Sequence, residues 1–291
     1  MTVEYIYIAR HGYRMNWVTD DWKSATGLPR DPALSPTGVT QAEEVAEFFK
    51  SLAPEERPTA IFSSPYYRCL QTAKPTAEAL QVPLFVEHGL SEWYSQVEPN
   101  TGLHPRPGPA SELRAHFPQV DAERWPSLYY PSRKGESVPA VHDRSGALIR
   151  ALVPAVEARF DGAHRRILLV SHAATVAALA RELVGDREAP LSVATCSITG
   201  VRRKDLGAEE VLGGFTLERN AEVGHLSEGA QRPWGFHDAE YIVDSRCKGK
   251  GGGDWNVVAH RGEPGTENEL DHPVGLQVHL LPVEVRERLK L

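Results

Sequence analysis

The chain has 291 residues and is acidic, with 39 Asp and Glu against 32 Lys and Arg and a formal net charge of −7. Its 41% hydrophobic content can fill a packed core, which excludes global disorder, and the length allows two domains or one α/β domain with insertions. The negative total excludes non-specific nucleic-acid binding over the whole surface, although one small basic pocket is compatible with it. No run approaches the roughly 20 apolar residues of a membrane span, and we expect neither an anchor nor a signal peptide.

Cysteine usage indicates the compartment in which the chain folds. The chain has three cysteines, Cys69, Cys196 and Cys247, and no two of them form a C-x-x-C pair. A disulfide framework or a zinc site is therefore not expected, and we predict a reducing, cytoplasmic environment.

Strand-like apolar runs alternate with amphipathic segments along most of the chain. In chain order, the pattern predicts a strand at 3–9, a helix at 34–52, a strand at 59–62, a helix at 67–80, a strand at 82–86, a helix at 139–160 capped by Ser137, a strand at 166–170, a helix at 173–184 and strands at 194–202 and 215–219. This alternation indicates an α/β fold, a three-layer sandwich whose mostly parallel central sheet has helices on both faces.

Two stretches depart from this alternation. Residues 98–133 are proline-rich and irregular, and we interpret them as a long insertion over one end of the sheet. Arginines in or near a binding loop could contact further anionic groups of a ligand, and the candidates in this insertion are Arg106, Arg114 and Arg124. We predict one domain at 1–244, followed at 245–291 by a glycine-marked loop and a C-terminal tail.

Four polar segments follow strands of the predicted sheet or lie just beyond them. They are Arg10-His11-Gly12, Ser64-Pro65-Tyr66-Tyr67-Arg68, Leu90-Ser91-Glu92-Trp93 and Ser171-His172-Ala173. The carboxyl ends of parallel strands meet at one edge, so these segments should bring two histidines, two arginines and a carboxylate together.

These residue types suit the transfer of a phosphoryl group. Guanidinium groups bind phosphate oxygens in pairs and keep their charge. A neutral imidazole can attack phosphorus, and a carboxylic acid can protonate the leaving oxygen and then activate water. Phosphoryl transfer requires little more than this positioning and charge stabilisation.

An ordered set of motifs resembles the histidine phosphatase (phosphoglycerate mutase-like) superfamily. The matching motifs are Arg10-His11-Gly12 with Asn16, Leu34-Ser35-x-x-Gly38-x-x-Gln41-Ala42, Ser63-Ser64-Pro65-x-x-Arg68, Glu92, Gly135-Glu136-Ser137 and Ser171-His172. The resemblance covers about residues 3–205. It implies a phosphoglycerate mutase-like fold and a reaction that needs neither a metal nor an organic cofactor.

The resemblance also implies a role for each matched residue. His11 would be the nucleophile that forms a phosphohistidine, Glu92 the proton donor, and His172 a third member of the catalytic set. The residues that we expect to contact phosphate are Arg10, Arg68, His172, Asn16 and, as an additional cation, Arg14. Glu87 and Glu98 stay open as alternatives to Glu92.

Departures from the superfamily pattern limit the reaction type. Tyr13 and Arg14 follow the R-H-G motif where mutases have another hallmark, and Ala173 and Ala174 replace the glycines after the second histidine. These changes argue against a sugar-phosphate mutase and leave phosphatase chemistry intact.

Several longer matches are similar to one fungal branch of the superfamily. They are Pro65-Tyr66-Tyr67-Arg68-Cys69-Leu70, Glu92-Trp93-Tyr94 and His172-Ala173-Ala174-Thr175. This branch includes the histidine-phosphatase-like subunit of RNA polymerase III transcription factor C. Two functions follow: a phosphatase acting on a phosphorylated small molecule or phosphopeptide, or a non-catalytic or weakly catalytic interaction subunit with protein partners in a transcription complex. The second would add a nuclear location; neither requires direct nucleic-acid or membrane binding.

Overall fold

The computed structural model describes residues 2–236 and 261–291, and the predicted alternation of strands and helices is present in it. The strands are β1 (Tyr5–Arg10), β2 (Ala60–Ser63), β3 (Leu84–Val86), β4 (Tyr129–Tyr130), β5 (Arg166–Ser171), β6 (Ile198–Arg203), β7 (Phe215–Glu222) and β8 (Gly275–Leu276). The helices are α1 (Pro36–Ser51), α2 (Tyr67–Leu80), α3 (Ala110–Leu113), α4 (Val138–Arg159), α5 (Ala173–Val184) and α6 (Val283–Leu289). None of these helices is long and apolar enough to cross a membrane.

The main sheet has six strands in the order β3-β2-β5-β1-β6-β7. The first four are parallel, whereas β6 and β7 are antiparallel at one edge, which confirms the prediction of a mostly parallel sheet. The strand predicted at 194–202 begins only at Ile198. The reason is local, since Cys196 has a left-handed backbone with a φ of 54° and cannot continue an extended strand.

Alternating side chains of β1 pack into two separate hydrophobic cores. Ile6 and Ile8 belong to the core that contains apolar residues of α4 and α5. Tyr7 and Ala9 point to the opposite face, into the core formed with α1 and α2. Because both faces are covered, every residue of β1 is buried, as expected for a central parallel strand. The arrangement confirms the three-layer sandwich.

Serine side chains fix where two of these helices begin. Ser35 Oγ accepts a hydrogen bond from Gly38 N at the start of α1, and Pro36 occupies the first turn. Ser137 Oγ accepts from Ala140 N at the start of α4, so the predicted cap is confirmed. Both side chains satisfy a backbone N–H that the helix itself leaves unpaired.

The insertion and the C-terminal residues pack against each other. β4 of the insertion pairs with β8, and Asp271 accepts hydrogen bonds from Ser132 Oγ at 2.7 Å and Arg133 N at 3.1 Å. In α6, Val285 is buried and the helix lies against α4. The predicted boundary after residue 244 and the glycine-rich loop at 247–254 lie outside the described residues, and the division into domain and tail stays a prediction.

Candidate active site

The strand ends bring the predicted polar segments together at one edge of the sheet. Arg10, the last residue of β1, pairs with Ser171, the last residue of β5. On the other side of β5, Ser63 of β2 pairs with Val170. His11 therefore follows β1 next to His172, and their ring centroids lie 5.3 Å apart.

His11 is held in one tautomer. Its ring is buried, and Nδ1 lies 2.8 Å from the carbonyl oxygen of Gly12, so Nδ1 carries the proton and Nε2 keeps its lone pair. Burial, reinforced by the positive charge of Arg68 and of other neighbouring groups, holds the pKa of His11 well below its ordinary value. The imidazole is therefore neutral near pH 7, the state required of a nucleophile.

The glycine of the R-H-G motif is required by a close backbone approach. A Cβ added at Gly12 would lie 2.7 Å from the carbonyl oxygen of Gly38 in α1, and one at Gly38 would lie 2.2 Å from Tyr13 O. Gly12 N donates to Thr72 Oγ1 of α2 at 3.0 Å. The loop after β1 is thus pressed against both helices, which fixes the position of His11.

Beneath this loop lies a group of four charged or titratable side chains, which we call the buried network: Asp31, Arg68, Glu92 and His172. Arg68 is fully buried and donates from NH1 to Asp31 Oδ1 at 3.2 Å and from NH2 to Glu92 Oε2 at 3.3 Å. Asp31 also accepts hydrogen bonds from Tyr67 N. Burial opposes the charge of Arg68, but the two carboxylates outweigh burial and raise its pKa. The guanidinium is therefore fixed in place and permanently charged.

His172 occupies the centre of the buried network. Its Nε2 lies 2.8 Å from Ser64 Oγ, and its Nδ1 lies 3.1 Å from Arg68 NH2 and 3.3 Å from Glu92 Oε2. Burial lowers the pKa of His172 to about 4, although Glu92 acts in the opposite direction. The side chain is neutral near pH 7, and each ring nitrogen faces a polar partner.

Glu92 is held as a carboxylate in this arrangement. Burial alone would raise its pKa, but the hydrogen bond from His172 and the positive charge of Arg68 hold it well below the usual range. Its Oε1 accepts from Trp93 N at 3.1 Å. Glu92 thus occupies one hydrogen-bonding group each of Arg68 and His172.

The alternative acid Glu87 has a structural role. Its buried carboxylate accepts hydrogen bonds from Gly89 N, Trp125 Nε1, Leu128 N and Tyr129 N. These donors tie the end of β3 to the insertion. Glu98 is exposed. Glu92 is the acid that the structure places beside the histidines.

A small pocket opens above the buried network. It is lined by Arg10, His11, Arg14, Glu92, Ala173, Ala174 and Trp234. Ala173 and Ala174 are the first two residues of α5, and the free N–H groups and positive end of the helix dipole favour an anion at such a position. Arg68 and His172 lie directly below, fully buried.

Three guanidinium groups surround the indole of Trp17, and we call Arg10, Arg14, Arg232 and Trp17 the arginine rim. The guanidinium carbons lie 5.7 Å, 4.1 Å and 5.0 Å, respectively, from the ring centroid. Arg10 NH1 donates to the carbonyl oxygens of Val193 at 2.7 Å and of Arg232 at 2.5 Å. The acidic chain therefore concentrates positive charge at this pocket.

Asn16 and the three arginines of the insertion, which were also expected to contact the ligand, are not among the pocket-lining residues. Asn16 lies in a 3-10 turn at Met15–Trp17 and is outside the set of pocket-lining residues; its Oδ1 has no hydrogen-bond partner within the described residues. The insertion arginines are paired elsewhere, Arg106 with Asp271, Arg114 with Glu123 and Arg124 with Asp121. The expectation that these three would add charge to the pocket is therefore not met in this structure.

Three residues of the site were not predicted from the sequence. Asp31 comes from a loop without a recognisable pattern, and only its contacts with Arg68 and Tyr67 N reveal its role. Arg232 and Trp234 come from a segment beyond the matching motifs. The sequence offered one indication of their role, which is that an Arg and a Trp lie two residues apart in a polar stretch.

A metal ion is disfavoured by the surrounding charges. His11, Glu92 and His172 offer ligand atoms within 4.8 Å of one another. However, Arg68 contacts Glu92 directly, and Arg10 and Arg14 line the same pocket. A cation at this point would face several fixed positive charges, whereas an anion would be stabilised by all of them.

Comparisons with known proteins agree with this geometry. The sequence model of the histidine phosphatase superfamily (branch 1) matches residues 6–212, and the chain belongs to this superfamily. The transcription factor tau 55 kDa subunit of Saccharomyces cerevisiae is 37% identical over 187 residues, which are 64% of this chain and 42% of that protein. This match confirms the resemblance to the fungal branch, and the chain spans less than half the length of that relative.

Solved structures confirm the fold. The ecdysone phosphate phosphatase from Bombyx mori, determined with tungstate, has a TM-score of 0.56 at 19% identity and covers 74% of this chain and 91% of its own. A structure named mycobacterial hydrolase 1 has a TM-score of 0.50 at 24% identity and covers 75% of this chain and 99% of its own. At these identities, the similarity extends to the fold alone.

Proposed function

We propose that this chain hydrolyses phosphate monoesters through a phosphohistidine on His11. The observation that carries the proposal is the neutral His11 imidazole, with its proton fixed on Nδ1 by Gly12 O, in a pocket that Arg10 and the start of α5 also line. A nucleophile with an available lone pair and an anion-binding environment is what phosphoryl transfer to nitrogen requires. The substrate class is a phosphorylated small molecule or phosphopeptide.

Binding of the substrate would rearrange the buried network. Its phosphoryl oxygens would take over the hydrogen bonds that Arg68 and His172 now donate towards Glu92. When Glu92 loses these partners and gains a neighbouring anion, its pKa rises. A phosphate monoester that binds as the monoanion can then pass its proton to Glu92, which becomes the general acid.

The first chemical step transfers the phosphoryl group to His11. Nε2 attacks phosphorus, the bond between phosphorus and the ester oxygen breaks, and its electron pair stays on that oxygen, which takes the proton from Glu92. In the second step, water gives one proton to Glu92 while its oxygen attacks phosphorus. The phosphorus–nitrogen bond breaks, its electron pair returns to Nε2, and phosphate leaves with the proton.

The proposal can be tested by activity and trapping assays on the full chain. His11→Ala should lower the hydrolysis of 4-nitrophenyl phosphate at least about 1,000-fold, because no other nucleophile in the pocket replaces the imidazole. Rapid quenching of the wild type with a ³²P-labelled substrate at alkaline pH should trap an acid-labile protein phosphate that the variant lacks. Exposed His279 offers the matched control, and His279→Ala should keep wild-type rates. Undiminished turnover in His11→Ala would refute the proposal.

A second candidate function is that of a protein-interaction subunit in the nucleus. It is favoured by the 37% identity to the yeast transcription factor tau 55 kDa subunit. Affinity capture from nuclear extract should then recover RNA polymerase III assembly factors equally well with wild type and with His11→Ala. Recovery of no such factor by either bait would argue against this role and leave the phosphatase proposal unaffected.

A further inference from the structure

The segment that ends the first described range forms a wall of the pocket. Trp234 pairs with Val193 through both backbone groups, at 2.8 Å and 3.2 Å, and Thr195 N donates to Gln231 O at 3.0 Å. These bonds hold residues 231–234 beside the loop that precedes β6. The wall is therefore built by a chain segment far from the R-H-G motif in sequence.

Arg232 is placed on this wall by a strained backbone. Its φ is +49°, in the left-handed region that side chains other than glycine rarely adopt. Its carbonyl oxygen accepts a hydrogen bond from the Arg10 guanidinium at 2.5 Å. This contact ties the position of Arg232 directly to an arginine that lines the pocket, which is the arrangement expected of a specificity residue.

The guanidinium of Arg232 lies at the surface beside two aromatic rings. The side chain is exposed and stacks near Trp17 and Tyr13, and no carboxylate of residues 2–236 or 261–291 forms an ion pair with it. Its guanidinium carbon lies 5.0 Å from the Trp17 ring centroid, on the same indole as Arg14 at 4.1 Å. Arg232 therefore shares this indole with Arg14, which lines the pocket, and none of the described carboxylates neutralises its charge.

Trp234 gives an independent indication of a ligand. This residue lines the pocket and is 7% exposed, yet its indole N–H has no acceptor within the described ranges. A buried donor without a partner is unfavourable, and an oxygen atom of a bound molecule would satisfy it. Arg232 and Trp234 are two residues apart on the same wall.

We propose that Arg232, supported by Trp234, binds a second anionic group on the substrate, so that the preferred substrates are phosphate monoesters whose leaving group carries a carboxylate or a further phosphate. This inference rests on the proposed function for the first phosphate. It assigns the second charge to Arg232 and leaves the scissile phosphate to the buried network, Arg10 and the start of α5.

A binding experiment tests the proposal without requiring turnover. Benzylphosphonate and its para-carboxylated analogue differ only in one distal charge, and neither can be hydrolysed. By calorimetry, the wild type should bind the carboxylated ligand about tenfold more tightly, because a charge-assisted guanidinium–carboxylate hydrogen bond adds affinity. Arg232→Gln should reduce this ratio to about twofold or less, and the ratio, not the affinity for benzylphosphonate itself, is the quantity compared.

A matched control separates local from general charge effects. Arg150 is exposed on α4, and Arg150→Gln lowers the net charge by the same amount and should keep the tenfold ratio. Equal binding of both ligands by the wild type, or an unchanged ratio in Arg232→Gln, would overturn the inference. Neither result bears on the proposed function, which fails if the wild type does not hydrolyse 4-nitrophenyl phosphate or if His11→Ala keeps full turnover.

Discussion

The buried network and the arginine rim use arginine in opposite ways. In the buried network, Arg68 is fully buried between Asp31 and Glu92, and its two carboxylate partners fix both its position and its charge. In the arginine rim, three guanidinium groups share the half-buried indole of Trp17, and the exposed Arg232 has no carboxylate partner within the described residues. A paired, desolvated cation provides accurate positioning, whereas an unpaired cation at an opening is available to attract and select a ligand.

The largest expected effect breaks the buried network at its centre. Arg68→Lys replaces a planar fork with a single point charge that cannot serve Asp31, Glu92 and phosphate at once. We expect kcat/KM for 4-nitrophenyl phosphate to fall about 10²- to 10³-fold, the usual loss when a donor to a developing charge is removed. The free energy of unfolding should fall by about 3 kcal/mol, since a buried carboxylate is left poorly paired.

A control distinguishes catalysis from stability in that experiment. Arg203 is also buried and pairs with Glu157 at 3.1 Å, remote from the pocket. Arg203→Lys should destabilise the protein, as followed by urea unfolding, but leave kcat/KM within about threefold of the wild type. If both substitutions reduced activity to the same extent, the effect of Arg68→Lys would be an effect on folding, and the role of Arg68 in catalysis would be contradicted.

The second largest expected effect is on the pH dependence of kcat/KM, which shows how the proton reaches Glu92. If the proton arrives with the substrate, kcat/KM should be flat between about pH 5 and 6, because the pKa of His11 lies well below its ordinary value and that of His172 is about 4, so that both rings are neutral there. Above about pH 6, the second pKa of a phosphate ester, the dianion predominates, and kcat/KM should fall tenfold per pH unit. The measurement is a kcat/KM profile from pH 4 to 9 with phenyl phosphate.

Glu92→Gln provides the matched comparison. Without the acid, an alkyl phosphate should react about 100-fold more slowly, whereas 4-nitrophenyl phosphate, whose leaving group needs little protonation, should lose about tenfold or less. A substrate whose phosphate titrates one unit lower should move the alkaline limb of the wild-type profile by the same amount. If the alkaline limb lay at the same pH for both substrates, the titrating group would belong to the protein. That result would refute proton delivery by the substrate.

Most of the site was predictable from the sequence, but Asp31, Arg232 and Trp234 were not. Arg10, His11 and His172 follow apolar strands, and the parallel register of β1 and β5 necessarily brings these strand ends together. Trp234 reaches the pocket, and Arg232 reaches the Trp17 indole, because their segment pairs with residues 193–195, a long-range contact without a local sequence pattern. Asp31 was missed for the same reason, since a loop aspartate shows its partner only after folding.

The fold also has parts that the sequence predicts and parts that it does not. Strands and long helices were predicted close to their observed bounds because burial on two faces gives a clear periodicity, as in β1. The insertion at 98–133 was identified by its lack of periodicity, but its pairing with β8 was not expected. That pairing depends on Leu276 and Tyr129 meeting across a gap of more than 100 residues, which no local preference encodes.

The smallest expected effect on activity tests whether the C-terminal residues stabilise the site or only cover the insertion. Asp271 accepts hydrogen bonds from Ser132 Oγ and Arg133 N, so Asp271→Asn removes the charged acceptor from a largely enclosed position. We expect a loss of about 1–3 kcal/mol in the free energy of unfolding, with kcat/KM within about twofold of the wild type. Glu269, which pairs with Arg133 at the surface, is the control, and Glu269→Gln should cost less than about 1 kcal/mol. A fall in kcat/KM of more than tenfold in Asp271→Asn, with the protein fully folded, would instead make the C-terminal residues part of the catalytic unit.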